Sequence, residues 1–158
     1  MPQPAMPEDL VSMLKDMNRR LSALETAPRL ANSEFPWNAA LDTPTFNTTS
    51  ATPVDASPAG PSVTLKVSSV GRVIVTASAY IGLNSDGQFA FASLWVDGVN
   101  TITSVVGFSL VGTIGSANVT STRTMEVSPG EHTFLLKYQV SGGGNANFSS
   151  RSLVVQPY

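Results

Sequence analysis

The sequence predicts a mainly β protein, an N-terminal coiled-coil helix followed by a jelly-roll β-sandwich. Three observations carry that expectation. Apolar residues ahead of Pro28 recur at alternating steps of four and three, the spacing of a coiled-coil seam. From Ser62 onward the period changes to two, the alternation of half-buried strands. Turn signals then punctuate the chain at sandwich-like intervals, with no helical pattern between them. The expected division is residues 1–28 as arm and helix, 29–61 as a Pro- and Thr-rich extended connector, and 62–158 as the β head.

The helix occupies Pro7 to Ala27. Pro7 suits a first helical position, Glu8 and Asp9 place acid near the positive end of the macrodipole, and Pro28 stops the run. Leu14 and Leu21 take the a positions and Leu10, Met17 and Leu24 the d positions, which sets Arg20 at g and Glu25 at the following e. Those flanking positions meet across a parallel seam, and their charges are opposite. The run Arg20-Leu21-Ser22-Ala23-Leu24-Glu25 resembles the Arg-h-x-x-h-Glu motif of parallel three-stranded coiled coils. The resemblance implies a homotrimer with the seam Leu10, Leu14, Met17, Arg20, Leu21, Leu24 and Glu25. An isolated helix of this length is marginal in water, so its apolar stripe needs other copies of itself or a trimeric domain below it.

With 158 residues, 42% of them hydrophobic, the chain can build one core of ordinary size plus an appendage. Charged residues are only 13% and the net charge is −2, with a pI near 5.2, which argues against a nucleic-acid partner. The absence of cysteine removes disulfides and thiolate metal sites. The first ten residues lack the basic start and apolar run of a signal peptide, and no apolar run is long enough to span a bilayer. The expectation is a protein made in the cytoplasm, not inserted in a membrane. The three Asn-x-Ser/Thr sequons, at Asn47, Asn118 and Asn147, are read as chance in a Ser- and Thr-rich chain.

In the connector, five prolines from Pro36 to Pro61 rule out a continuous helix, while Phe35, Trp37, Leu41 and Phe46 are more than a free linker needs. The segment is expected to drape over the head and add a first strand around Phe35 to Ala40. Residues 48–60 are either part of that drape or disordered.

Within the head, Val63, Leu65 and Val67 form one strand face, and Val73, Val75, Ala77, Ala79 and Ile81 another, with Gly71 turning between them. Phe89 to Val96 is apolar on both faces. A strand of an ordinary sandwich needs one dry face, so Ala90, Ala92, Leu94 and Val96 are the candidate head trimer interface. Asp97-Gly98 reads as a hairpin turn, and strands follow over Thr103 to Ile114 and Val119 to Val127. Ser128-Pro129-Gly130-Glu131 has type II turn chemistry, ahead of a strand with His132, Phe134, Leu136, Tyr138 and Val140 on one face. The glycine-rich loop Ser141 to Asn147 leads to a last strand, Phe148 to Gln156. Loops Asn84 to Gln88 and Ser141 to Asn147 are the candidate outer loops, with Asn84, Asp86, Gly143 and Asn145 as their contact residues.

The candidates for chemistry are few. His132 is the single histidine, and Glu131 beside it points to the opposite strand face, so His132 is read as a strand-start residue capping the core. Gly142 to Gly144 lack the Lys-Ser/Thr of a phosphate loop. Asn84, Asp86 and Asp97 do not form the spaced run of a calcium loop and are read as turn residues. Tyr80 is an exposed aromatic fit for a glycan, a protein partner or packing at a threefold axis. No catalytic, cofactor or metal site is expected.

The order GRVIVTASAY, FAFASLWVDG, SPGEHTFLLKYQV and FSSRSLVVQPY is similar to the trimeric jelly rolls of the tumour-necrosis-factor and complement globular-head type, over Ser62 to Tyr158. Joined to MNRRLSALETAPRL, the whole chain resembles small virion proteins of tailed phages of actinobacteria, the minor tail proteins. That resemblance implies a non-enzymatic homotrimer located in the virion, attached to other virion structural proteins through its N-terminal region with the β head outward. It leaves open a capsid decoration protein, or head fibre, of the same architecture, and a jelly-roll adhesin whose loops bind a host surface glycan or protein.

Overall fold

A computed structural model describes residues 8–26, 38–42, 44–67, 71–112 and 114–157. The chain divides into two units, 1–34 and 35–158. The first holds the helix α1 (Glu8–Thr26). Its stripe faces solvent within the chain: Leu10, Leu14 and Met17 are 45%, 47% and 59% exposed, and Met13 at g is exposed beside them. Arg20, expected to reach a neighbour's glutamate, pairs in this single chain with Asp16 one turn back at 3.1 Å, and Arg19 pairs with the same carboxylate at 2.8 Å. The side chains of Leu21, Leu24 and Glu25 lie outside the described residues, as do the arm before Glu8 and the Phe35 to Trp37 part of the expected first strand.

The second unit is built from β1 (Asn38–Asp42), β2 (Phe46–Thr48), β3 (Ser62–Val67), β4 (Arg72–Leu83), β5 (Phe89–Val96), β6 (Val99–Ser109), β7 (Gly115–Glu126), β8 (Gly130–Ser141) and β9 (Ala146–Pro157). One sheet runs β1-β9-β4-β7, with β2 also on β9, and the other runs β3-β8-β5-β6. The antiparallel pairs β2 with β9, β3 with β8, β4 with β7 and β5 with β6 are nested, first strand with last and so inward. A long hairpin wrapped into two sheets has that pairing, so the fold is a jelly roll.

Period two fills the space between the sheets. Val73, Val75, Ala77, Ala79, Ile81 and Leu83 of β4 face Phe134, Leu136, Tyr138 and Val140 of β8, all 2% exposed or less. The β5–β6 turn is Asp97-Gly98, both at positive φ, as a two-residue I′ hairpin requires. At Gly71, φ is +68° and a Cβ would lie 2.6 Å from the Val127 carbonyl oxygen, so this turn is confined to glycine.

Two expectations are corrected. Ala90, Ala92 and Leu94 are fully buried and Val96 is 8% exposed, all within the chain's own core opposite Val140, Tyr138, Leu136 and Phe134 of β8. They are therefore not a head trimer interface. The other face of β5 is dry for a local reason: the Trp95 indole donates to Ser93 Oγ at 3.0 Å, the Lys137 ammonium sits 4.4 Å from the Trp95 ring centre, and Phe89 packs on Phe91 with centroids 5.0 Å apart. The connector lies against the head, in the draped arrangement expected of it. β1 and β2 form one interrupted edge along β9, and the Val54 amide and carbonyl both bond to Tyr138 of β8. Ala56 and Pro61 are buried, so 48–60 drapes over the sandwich. The second correction is that the strand expected over Thr103 to Ile114 spans Val99–Ser109, because Gly112, at φ +127°, turns the chain into an exposed loop.

A β-bulge resets the last strand. Ser78 pairs with Ser152 but Tyr80 with Ser149, and Ser150 takes a φ of 46°. The shift flips the parity of β9, so that Arg151 turns inward with Leu153 and Val155. Its side chain is fully buried, its guanidinium lies 5.8 Å from the Phe46 ring centre and 5.3 Å from that of Tyr138, and Nη2 donates to the Pro44 carbonyl at 3.3 Å.

Candidate functional site

Polar side chains concentrate at the two ends of β5. At its start the candidate outer loops come together. Gln88, 1% exposed, accepts from the Asn84 and Ser85 amides at 3.1 and 2.9 Å and donates to the Gly143 carbonyl, while its own carbonyl accepts from Leu110 N. Asn84 Oδ1 accepts from Asn145 N at 3.0 Å, and Asp86 Oδ1 accepts from Gly87 N and Gly112 N at 2.9 and 2.8 Å. The four expected residues Asn84, Asp86, Gly143 and Asn145 therefore sit in one cluster, cross-tied by a buried glutamine, with the 110–112 loop as a third member. Their Gly, Asn and Ser content marked these loops in the sequence. Gln88 carried no signal, because an isolated Gln reads as a surface residue.

Beside the cluster, on the outward face of β4 and β9, lies a groove of about 600 Å³ lined by Asn47, Tyr80, Gly82, Leu83, Asn84, Ile114, Gly115, Ser116, Asn145 and Asn147. None of these is an Asp, Glu, Lys, Arg or His, and the Tyr80 hydroxyl donates to Ser116 Oγ at 2.6 Å and so fixes its ring. Asn147 Nδ2 donates to Asn47 Oδ1 at 3.1 Å. The same sheet face continues as paired hydroxyls, Thr76 with Thr122 at 3.0 Å and Ser78 with Ser152 at 2.6 Å.

At the far end of β5 the Asp97-Gly98 turn meets the turn before β8. His132 Nδ1 donates to Asp97 Oδ2 at 2.6 Å and Nε2 donates to the Ser128 carbonyl at 2.7 Å, while Asp97 Oδ1 accepts from Thr133 N at 2.9 Å. Asp97, His132 and Ser128 have the composition of a hydrolytic triad but not its chemistry. His132 Nε2 is directed at the Ser128 carbonyl at 2.7 Å, and Ser128 Oγ lies farther off at 3.4 Å, so the ring is not aligned on the hydroxyl as a general base must be. The arrangement is a clamp between two turns. The sequence showed each residue but not their meeting, which follows from β5 and β8 being neighbours. Asn84 and Asp86 lie at the opposite end of β5 from Asp97, and no group of three metal-ligating side chains occurs among the described residues.

The Asp97 hydrogen bond, helped by that to Ser128, raises the His132 pKa above its ordinary 6.5, and the bond from Thr133, followed by that from His132, lowers the Asp97 pKa below 3.8. The His132 contribution to stability is complete below the unfolded histidine's pKa and is lost as pH rises through the raised one. The Asp97 contribution is complete above the unfolded carboxylate's pKa and is lost as pH falls through the lowered one. The thermal midpoint is expected to fall as pH rises from about 6 to about 9, and a His132→Gln variant to lose that slope, as followed by circular dichroism. Equal slopes in the two proteins would show that the clamp does not hold the turns.

No family model matches the chain, and no curated protein matches it. Among solved structures, the Eiger TNF of S. frugiperda is similar at 12% identity with a TM-score of 0.49, covering 78% of this chain and 93% of that one. A chain of infectious bursal disease virus, Gt strain, is similar at 14% identity with a TM-score of 0.42, covering 77% of this chain and 31% of that one. The dimeric latent PorU of Porphyromonas gingivalis is similar at 14% identity and 0.39, covering 74% and 13%. These likenesses concern the jelly-roll fold.

Proposed function

We propose that the protein is a non-enzymatic structural component of a tailed-phage particle, a homotrimeric minor tail or fibre protein held by its N-terminal region with the β head outward. The observation that carries the reading is the stripe Leu10, Leu14 and Met17, about half exposed in the single chain. Its step of four and three fits copies of the same helix better than a flat surface. Three further points support it: the head is sparsely charged, the one histidine is engaged as a double donor, and the sequence from Met17 to Leu30 together with the head resembles the phage minor tail proteins. The polar loops cross-tied by Gln88 suit a surface that meets the outside of a particle.

Reconstruction of the particle tests this. The expected result is threefold density on the tail, with the helices toward the particle and the β head away from it. Density on the capsid shell would reassign the protein to head decoration, and a head packed inward with helices in solvent would overturn the direction of attachment.

A further inference from the structure

We propose that the groove beside Tyr80 is a binding site for neutral saccharides. This inference rests on the head alone and stands or falls independently of trimer formation and particle attachment.

The lining selects the ligand class. Asn47, Asn84, Asn145 and Asn147 converge on the groove from three separate stretches of the chain, and no Lys, Arg, Asp or Glu is among the lining residues. A site for phosphate, nucleotide or a charged peptide needs a countercharge, which is missing here. Each carboxamide offers a donor and an acceptor, the combination that vicinal hydroxyls require, since every hydroxyl both gives and takes a hydrogen bond. The Asn147 to Asn47 bond orients two of the amides and leaves Asn147 Oδ1 and Asn47 Nδ2 for a ligand.

Tyr80 supplies the other half of sugar recognition, a flat apolar surface for the C–H face of a pyranose. Its ring is 36% exposed and pinned through the hydroxyl to Ser116, so little rotamer freedom remains to be lost on binding. Ile114, 80% exposed at the rim, adds a second apolar contact. The Gln88 ties hold two of the contributing loops before any ligand arrives, and the volume of about 600 Å³ suits one or two sugar rings. A second copy of this chain is the less fitting occupant, because four amides in a concavity would be left to desolvate against a protein surface.

Gly82 provides a clean test. A Cβ there would lie 3.6 Å from Asn147 Cβ and 3.9 Å from Ser116 Cβ, ordinary contacts, so Gly82→Ala folds while raising the groove floor. The full chain is examined by saturation-transfer NMR against glucose, galactose, mannose, N-acetylglucosamine, maltose and lactose, with glucuronate as an acidic control. The expected result is saturation of at least one neutral sugar, a loss of at least tenfold in affinity for it in Gly82→Ala and in Tyr80→Ala, and no change in Thr124→Ala elsewhere on the same sheet. The proposal is overturned if no neutral sugar is saturated, if glucuronate binds in preference, or if all three variants bind like the parent. A change in molecular mass on Gly82→Ala without sugar binding would make the groove a contact between copies and would also overturn it.

Discussion

Replacing Arg151 with alanine will destabilise the sandwich by about 3 kcal/mol and lower its thermal midpoint by roughly 10 °C. The residue is fully buried where the edge formed by β1 and β2 is interrupted, and its guanidinium joins three features of that gap: the Pro44 carbonyl, the Phe46 ring and the Tyr138 ring. Alanine removes a charged donor worth about 1.5 to 3 kcal/mol and two cation–π contacts of about 0.5 to 2 kcal/mol each, terms that overlap rather than add. It also leaves a void under Phe46, because the stem of an arginine packs as hydrocarbon. Methionine restores that stem without the donor and should recover about half of the loss. Urea unfolding followed by tryptophan fluorescence measures both. A change below about 1 kcal/mol in Arg151→Ala would show that the bulge, and not the side chain, holds the edge.

The double substitution Leu14→Asp and Met17→Asp will abolish assembly and, with it, most of the helical signal. In the proposed seam these residues occupy adjacent a and d layers, so threefold symmetry brings six carboxylates into a dry core, at a cost of several kcal/mol per layer. Both side chains are about half exposed in the single copy. A lone 19-residue helix is marginal in water, and its Asp16 pairs with Arg19 and Arg20 are solvent-exposed and add only about 0.3 to 0.5 kcal/mol each. Circular dichroism should show the helical component lost and the β component kept, because the head is a separate unit with its own core. Retention of the full helical signal would mean that the helix is supported by something other than copies of itself.

The elements were legible where a local pattern decides them. Alternation marked β3, β4, β7 and β8, and Asp97-Gly98 marked its hairpin, because pleat and turn are short-range properties of the chain. What Phe89 to Val96 packs against was not legible. Two dry faces read equally well as a subunit contact or as a core face backed by a cluster of its own aromatics, and only the folding of Trp95 over Ser93 beneath Lys137 separates the two. Arg151 was hidden for a related reason: its inward direction depends on a bulge at Ser149 and Ser150, which carry no turn signal strong enough to break the period. The candidate site was half legible. Asn84, Asp86, Gly143 and Asn145 stood out as loop residues, whereas the tie of Gln88 to Gly143 and the pair Asn47 with Asn147 bring together residues far apart in the chain.

In the proposed trimer the stripe of α1 is a seam between three copies. Light scattering coupled to gel filtration of the full chain at micromolar concentration tests it most directly. The expected mass is about three times the 16.6 kDa of one chain, unchanged by dilution over the accessible range. A monomer mass would contradict it, and so would a dimer.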